Sequence, residues 1–485
     1  MAKKTTRRSS KAKTAKTVTK TPNQVLVVNM IPKSLSGETH QDSEPTIAVN
    51  PANPLQIAAS AFTPDPSHGP RAPIYVSTDG GNTWTLNSIV PSTVADGSAT
   101  ADITVAFGSS SNNLYAGIIR FPFPGDKTRL NILRTNDFQS STTMKVLVDR
   151  QGRGVDQPYV QAVTIKSGVG AAKDRVYVGD NDFNAGGGKT ATIDQSLNGG
   201  AATPSFKSIR IESRTTSGQD GPPVRPVIHP DGTVYAIFHS WRSFDGQTGE
   251  GAADIVVVRD DQGGTGTHPF TDLVDPTDNQ IGFRVVRGAK FNFNGEMGQQ
   301  RLGGDVSMAV DPKNSNNIYV AYNDDQPNGV YALHVLRSTD RGRTWSPELK
   351  RVDNALNPAL AINNAGKVGL LYQQLVGTDA AQQWVTKFEA TTDGTSWTRV
   401  VLSQAPANRP PKDFDPYLGD YEHLMAVGKD FYGVFSANNT PKKVNFPSGV
   451  VYQRNANWNT NTLLDVDNVT PVRISIDPFF FKVPG

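Results

Sequence analysis

Seven short segments of this chain begin with a polar residue and run straight into apolar ones. Their leading residues are Glu44, Asp102, Asp156 or Gln157, Arg225, Asp305, Asn357, and Asp420 with Tyr421. Brought together by a fold, these residues would form a mostly acidic ring. Carboxylates accept hydrogen bonds from hydroxyls and attract cations. Such a ring suits a cationic or polyhydroxylated ligand, or a hard cation such as Ca²⁺ held by oxygen atoms. The same residues also serve as polar caps on strands that open onto a wet channel. A second acidic spot, Asp465 with Asp467 in "DVDN", could touch Ca²⁺, but it does not continue into an EF-hand loop and reads as a surface turn. The chain has no cysteine, which excludes disulfides, thiolate metal sites and cysteine nucleophiles. Its seven histidines show no zinc-binding spacing. No cofactor is expected, Ca²⁺ aside.

The elements that would position the ring are legible as repeats. "EPTIAVNPANPLQIAASAF" (44–62) aligns without a gap to "DVSMAVDPKNSNNIYVAYN" (305–323). Each is a short apolar run, an Asn-rich turn and a second apolar run, the pattern of a β-hairpin. Looser copies begin near 102, 157, 225, 357 and 420. A third apolar run follows each hairpin, as in "IYVSTDGGNTW" (74–84) and "GVVYQRNANW" (449–458), and several have a fourth. The unit is four antiparallel strands. A period of roughly 50–80 residues fits propeller blades with loop insertions. The expectation is an all-β chain: one seven-bladed β-propeller of four-stranded antiparallel blades over 23–485. The blades fall near 43–92, 100–150, 155–213, 220–290, 303–353, 356–403 and 413–483. Six blades is the alternative. "QVLVVNM" (24–30) and "VRISIDPFFFKV" (472–483) are strand-like and could form the closing seam.

The third runs end in turns that match one another. "STDGGNTW" (77–84) and "STDRGRTW" (338–345) share S-x-D-x-G-x-T-W, and "TTDGTSW" (391–397) is one residue shorter. Asp79, Asp340 and Asp393 can accept turn N–H bonds, Gly81 and Gly342 permit positive φ, and Trp84, Trp345 and Trp397 offer faces to pack. Ser77 and Ser338 open the two full copies. These turns resemble Asp-boxes, or bacterial neuraminidase repeats. Together with the "AVNPANP" and "AVDPKNS" hairpins, the chain resembles the sialidase-like Asp-box propeller superfamily. The resemblance implies the propeller, with the turns on its outer rim and the ligand at the axis. It does not fix a function, because that superfamily spans glycosidases, receptors, lectins and assembly factors.

A sialidase of this superfamily clamps its substrate carboxylate with three arginines, and it uses a tyrosine nucleophile activated by a glutamate, with an aspartic acid/base. The first arginine is missing here, because its place reads "SEPTIAV" with Glu44. Arg225, Arg242 and Arg301 are the remaining candidates. Tyr421 stands beside Glu422, but neighbours on an extended strand point to opposite faces. Asp305 is the candidate acid/base.

Residues 1–20 carry eight bases and no acid, so the remainder holds 40 bases against 45 acids. Residues 1–22 read as a disordered basic tail that could attract an anionic surface. The tail has no apolar run, so no classical signal peptide is expected, and no transmembrane segment. Three functions follow. The first is a glycan- or protein-binding module working at the axial face. The second is a sialidase-like glycoside hydrolase with a divergent site. The third is a scaffold docked to an anionic partner through the tail. The compartment is left open.

Overall fold

The computed structural model describes residues 25–62, 74–91, 99–121, 129–151, 155–166, 171–183, 189–216, 224–292, 305–326, 330–410 and 418–485. The basic tail lies outside them. Seven sheets, each built on a four-stranded antiparallel core, surround one axis. Their inner strands are Ser43–Val49, Ala99–Phe107, Val155–Thr164, Arg225–Ile228, Val306–Asp311, Ala355–Ile362 and His423–Val427, defining blades 1 to 7. Each inner strand packs on that of the next blade, and the seventh packs on the first, so the ring is closed. Helix is confined, among the described residues, to three short 3₁₀ turns at Lys33–Leu35, Asp379–Ala381 and Lys443–Asn445.

Why these segments become inner strands follows from crowding. An inner strand has a sheet on both flanks, so its side chains must be compact and apolar. Ile47, Ala48 and Val49 in blade 1 and Met308, Ala309 and Val310 in blade 5 meet that demand and are buried. Facing sheets then share cores. Ile237, Ile255 and Val257 of blade 4, for example, pack with Val306, Met308 and Val320 of blade 5. Burying a side chain of this size stabilises the fold by about 1.5–3 kcal/mol.

Blade 7 departs from the sequence reading. Its third strand is Ile476–Val483, not 449–458, and its fourth is the N-terminal strand Leu26–Asn29. Only Val451–Tyr452 of the expected segment joins the sheet, as a fifth strand parallel to Leu26–Asn29. The physical reason is the seam. Arg454 is fully buried, pairs with Asp477 at 2.9 Å and donates to the carbonyls of Ser36 and Glu38. Asn29 donates to the same Asp477 at 2.7 Å. Both ends of the chain are thus tied to one buried carboxylate, and the intervening residues loop outward.

The S-x-D-x-G-x-T-W turns sit where the third strand meets the fourth, beside the first hairpin's turn; Gly80 N–H donates to Leu55 O at 3.0 Å. Asp79 accepts from Ser77 Oγ, Thr83 N and Thr83 Oγ1, and Trp84 Nε1 donates to Gly81 O. Asp340 repeats the set with Ser338 and Thr344, and Trp345 Nε1 donates to Gly342 O. Asp393 accepts from Thr391, Thr395 and Ser396, and Trp397 Nε1 donates to Gly394 O. Backbone bonds from Ser396 and Thr395 hold Asp393 below the ordinary carboxylate range. The three aspartates of these turns are thus engaged within their own turns.

Candidate functional site

The leading ends of the inner strands converge at one end of the axis. A repeated bond fixes their register. The residue two places past the leading residue of one blade accepts from the backbone of the next inner strand: Thr104 Oγ1 from Val160 N, Ser307 Oγ from Leu360 N, and His423 Nδ1 from Ile47 N. Counting back from these positions gives a ring of Glu44, Asp102, Gln157, Arg225, Asp305, Asn357 and Tyr421, all at least nine-tenths buried. In blade 3 the ring residue is Gln157. The Asp156 carboxylate accepts Gln157 N–H at 3.0 Å. In blade 7 it is Tyr421, while Asp420 N–H donates to Glu44 Oε1 at 3.1 Å.

Three ring residues are backbone outliers. Glu44 (φ 51°), Gln157 (φ 49°) and Asn357 (φ 56°) lie in the left-handed region, which non-glycine residues avoid. Each precedes a proline, and each sits where strand pairing slips, between Ser43 and Thr46, Asp156 and Tyr159, and Leu356 and Ala359. A bulge of this kind breaks the alternation of the strand and re-aims the side chain. Gly419 completes the close packing. At φ +89°, a Cβ there would fall 2.3 Å from Glu44 Cγ.

Arg225 is the cation of the ring. Its Nη2 reaches both oxygens of Asp305 at 3.1 Å, and its Nε donates to Val306 O. The guanidinium lies 4.5 Å from the Tyr159 ring centre and 5.3 Å from that of Tyr421. Tyr421 Oη donates to Asp102 at 2.8 Å. Asn357 donates to Gln373 and to Gly419 O, both at 3.1 Å. Burial pushes Asp305 up to about 6 against the pull of Arg225. Burial, reinforced by Asp305, pushes Glu422 well above the ordinary range. Both Glu422 carboxyl oxygens, and Gln157 Oε1, are buried without a hydrogen-bond partner.

His423 lies beneath the ring. Burial, then the Arg225 charge, lowers it to about 3, so its ring is neutral. Because Nδ1 accepts Ile47 N–H, the proton resides on Nε2, which meets Tyr159 Oη at 3.0 Å.

The other candidate residues lie elsewhere. Arg242 pairs with Asp254 at 2.9 Å and donates to Ser240 and Thr215 O, outside the ring. Arg301 lies outside the described residues. Asp465 and Asp467 belong to the blade 7 insertion, and Asp467 accepts from Val469 N, Thr470 N and Thr470 Oγ1. No group of three or more His, Asp or Glu is arranged to hold a metal among the described residues. Among those residues, too, no helix is long and apolar enough to cross a membrane. Tyr421 thus meets Asp102 rather than Glu422, and no second arginine joins Arg225 in the described ring. The sequence offered Gln157 as an alternative to Asp156, and Tyr421 together with Asp420. The X-Pro step repeated at Glu44, Gln157, Arg225 and Asn357 was the available signal for the first.

No protein-family model matches the chain, and no curated protein does. Solved structures it is similar to include an α-L-arabinanase of Penicillium chrysogenum in complex with arabinobiose, at 13% identity and TM-score 0.42 over 94% of this chain and 98% of that one. The α-L-arabinofuranosidase Arb93A of Fusarium graminearum is 11% identical, with TM-score 0.39 over 94% and 98%. A Hadza microbial sialidase is 12% identical, with TM-score 0.40 over 83% of this chain and 65% of that one. Likenesses at this level assign no substrate and no chemistry.

Proposed function

We propose that this propeller binds a neutral carbohydrate at the leading end of its axis. The observation that carries this reading is the strain in the ring. Three non-glycine residues at matching places in three blades hold a left-handed backbone, at about 1–3 kcal/mol each. Strain of that kind clusters where side chains must be aimed rather than merely packed. The charge balance supports a neutral ligand. Among the described residues, carboxyl groups (Glu44, Asp102, Asp305, Asp420, Glu422) outnumber the one guanidinium, Arg225, which is already held by Asp305. A sialoside's carboxylate would meet like charge here, whereas sugar hydroxyls can donate to carboxylates and to Gln157 Oε1.

A second reading, hydrolysis, is favoured by one feature. Burial, reinforced by the Asp305 charge, raises Glu422 well above the ordinary carboxylate range, the direction a general acid needs. One experiment addresses both. The full chain is titrated with neutral and sialylated oligosaccharides, and it is assayed on fluorogenic glycosides. Preferential binding of neutral glycans, weakened at least tenfold by Asp102→Asn, is expected. Turnover abolished by Glu422→Gln with binding retained would establish the hydrolase. Absence of neutral-glycan binding at millimolar concentration, or a preference for sialosides, would overturn the proposal.

A further inference from the structure

The opposite end of the axis holds a different space. Below the Tyr159–His423 pair lies a cavity of about 360 Å³, walled by all seven inner strands. Its lining is mixed: Ala162, Val227, Ile228 and Ala426 lie beside Ser109, Gln161 and Thr164. Ala162, Ala426 and Met425 on the same walls remain partly exposed, so apolar surface is left uncovered. The inner end is uncharged, because His423 is neutral and its Nε2 is bonded to Tyr159. Among the described residues, Lys166 supplies the one charge on the lining. It is exposed at the turn end, and among the described residues no carboxylate lines the cavity and none pairs with Lys166.

We infer that this channel is a binding site for a linear amphiphile with an anionic head, a medium-chain carboxylate. The volume is that of a small-molecule pocket, and the few polar groups converge at its two ends. The neutral, hydrogen-bonded floor rejects a charged head, so the alkyl tail enters first and covers the exposed alanine and methionine surfaces. The head then stays at the mouth, where Lys166 selects an anion over a cation. The partly exposed alanine and methionine surfaces gain from contact with a methylene chain.

The test is a homologous series of saturated carboxylates, octanoate to hexadecanoate, kept below micelle-forming concentrations and titrated calorimetrically into the full chain. Affinity should rise about fourfold per methylene and then level off once the tube is filled. Lys166→Glu should weaken dodecanoate about fivefold and leave dodecanol unchanged. Ala162→Phe should abolish binding while thermal unfolding shows the fold retained. Ala426→Phe, on another blade, repeats the block if the first variant unfolds. No binding, or affinity that keeps rising with chain length and ignores both phenylalanines, would overturn the inference. Glu422→Gln should not alter carboxylate binding, which separates this site from the one at the leading end.

Discussion

At the leading end of the axis, Arg225 grips both oxygens of Asp305 between two tyrosine rings, and Tyr421 donates to Asp102. A few residues further along the same seven strands, Ala162, Met425 and Ala426 leave apolar surface uncovered in a cavity. One set of strands thus carries two solvents' worth of chemistry, divided at the layer of Tyr159 and His423. The difference teaches how a propeller separates tasks. The strand interiors follow the packing rule of a doubly flanked sheet. The leading ends break that rule with bulges, left-handed residues and buried charge. Regular backbone builds the tube, and irregular backbone aims the polar groups.

The sharpest way to break this contrast is to make the leading end resemble the other. Arg225→Ala strands the Asp305 carboxylate in a dry site, and an uncompensated buried charge is destabilising by about 3–5 kcal/mol. Denaturant unfolding should show that loss. The double variant Arg225→Met, Asp305→Leu removes both charges together and should recover most of it. If the double is as unstable as the single, the pair is not a self-contained ionic unit and the contrast is drawn in the wrong place.

A smaller effect distinguishes the two sides of the dividing layer by pH. The Glu422 carboxyl is raised in the fold above its ordinary 4.5. The folded state then keeps a proton that the unfolded chain releases, so this contribution is full below pH 4.5 and is lost as pH rises. Asp305, raised from 3.8 to about 6, acts with the same sign between those values. His423 is opposite. It is lowered from 6.5 to about 3, so stability is present above pH 6.5 and lost as pH falls toward 3. Each slope reaches about 1.4 kcal/mol per pH unit. Urea midpoints across pH 4 to 8 should flatten on the alkaline side in Glu422→Gln and on the acid side in His423→Gln. The second flattening is partial, since burial also lowers His239 to about 3 and it keeps its own slope. Slopes that change in the same direction for both variants would remove the distinction.

Much of the scaffold was legible because its signals are local. A hairpin needs an apolar run, an Asn-rich turn and a second run, and all three lie within about twenty residues in "DVSMAVDPKNSNNIYVAYN". Blade 7 was legible only in part. Its third and fourth strands come from opposite ends of the chain, and 449–458 satisfied the same local pattern without the partner that Ile476–Val483 finds. The ring positions could be read from where each apolar run begins, but their bonds could not. Tyr421 and Asp102 are 319 residues apart, and adjacency to Glu422 suggested the wrong neighbour. The channel was not legible at all. An alanine in an apolar strand looks the same whether it is sealed in a core, as Ala321 is with Leu333, or left partly exposed in the channel, as Ala162 is.

The dividing layer itself offers the finest test. Ser307 accepts Leu360 N–H and joins blade 5 to blade 6, as Thr104 joins blade 2 to blade 3. Blade 4 has Val227 at this place, which has no side-chain acceptor, and there Arg225 Nε bonds to Val306 O instead. Ser307→Ala leaves one buried backbone N–H unsatisfied, a loss of about 1 kcal/mol. Calorimetric unfolding should register it, with Arg225 and Asp305 undisturbed. The loss should not add to that of Arg225→Ala if the two bonds serve neighbouring seams of one blade, since Val306, which accepts from Arg225, and Ser307 are adjacent on one strand and neighbouring sites couple. Full additivity would mean that each blade seam closes on its own, and that the polar end and the apolar end meet at a layer which transmits nothing between them.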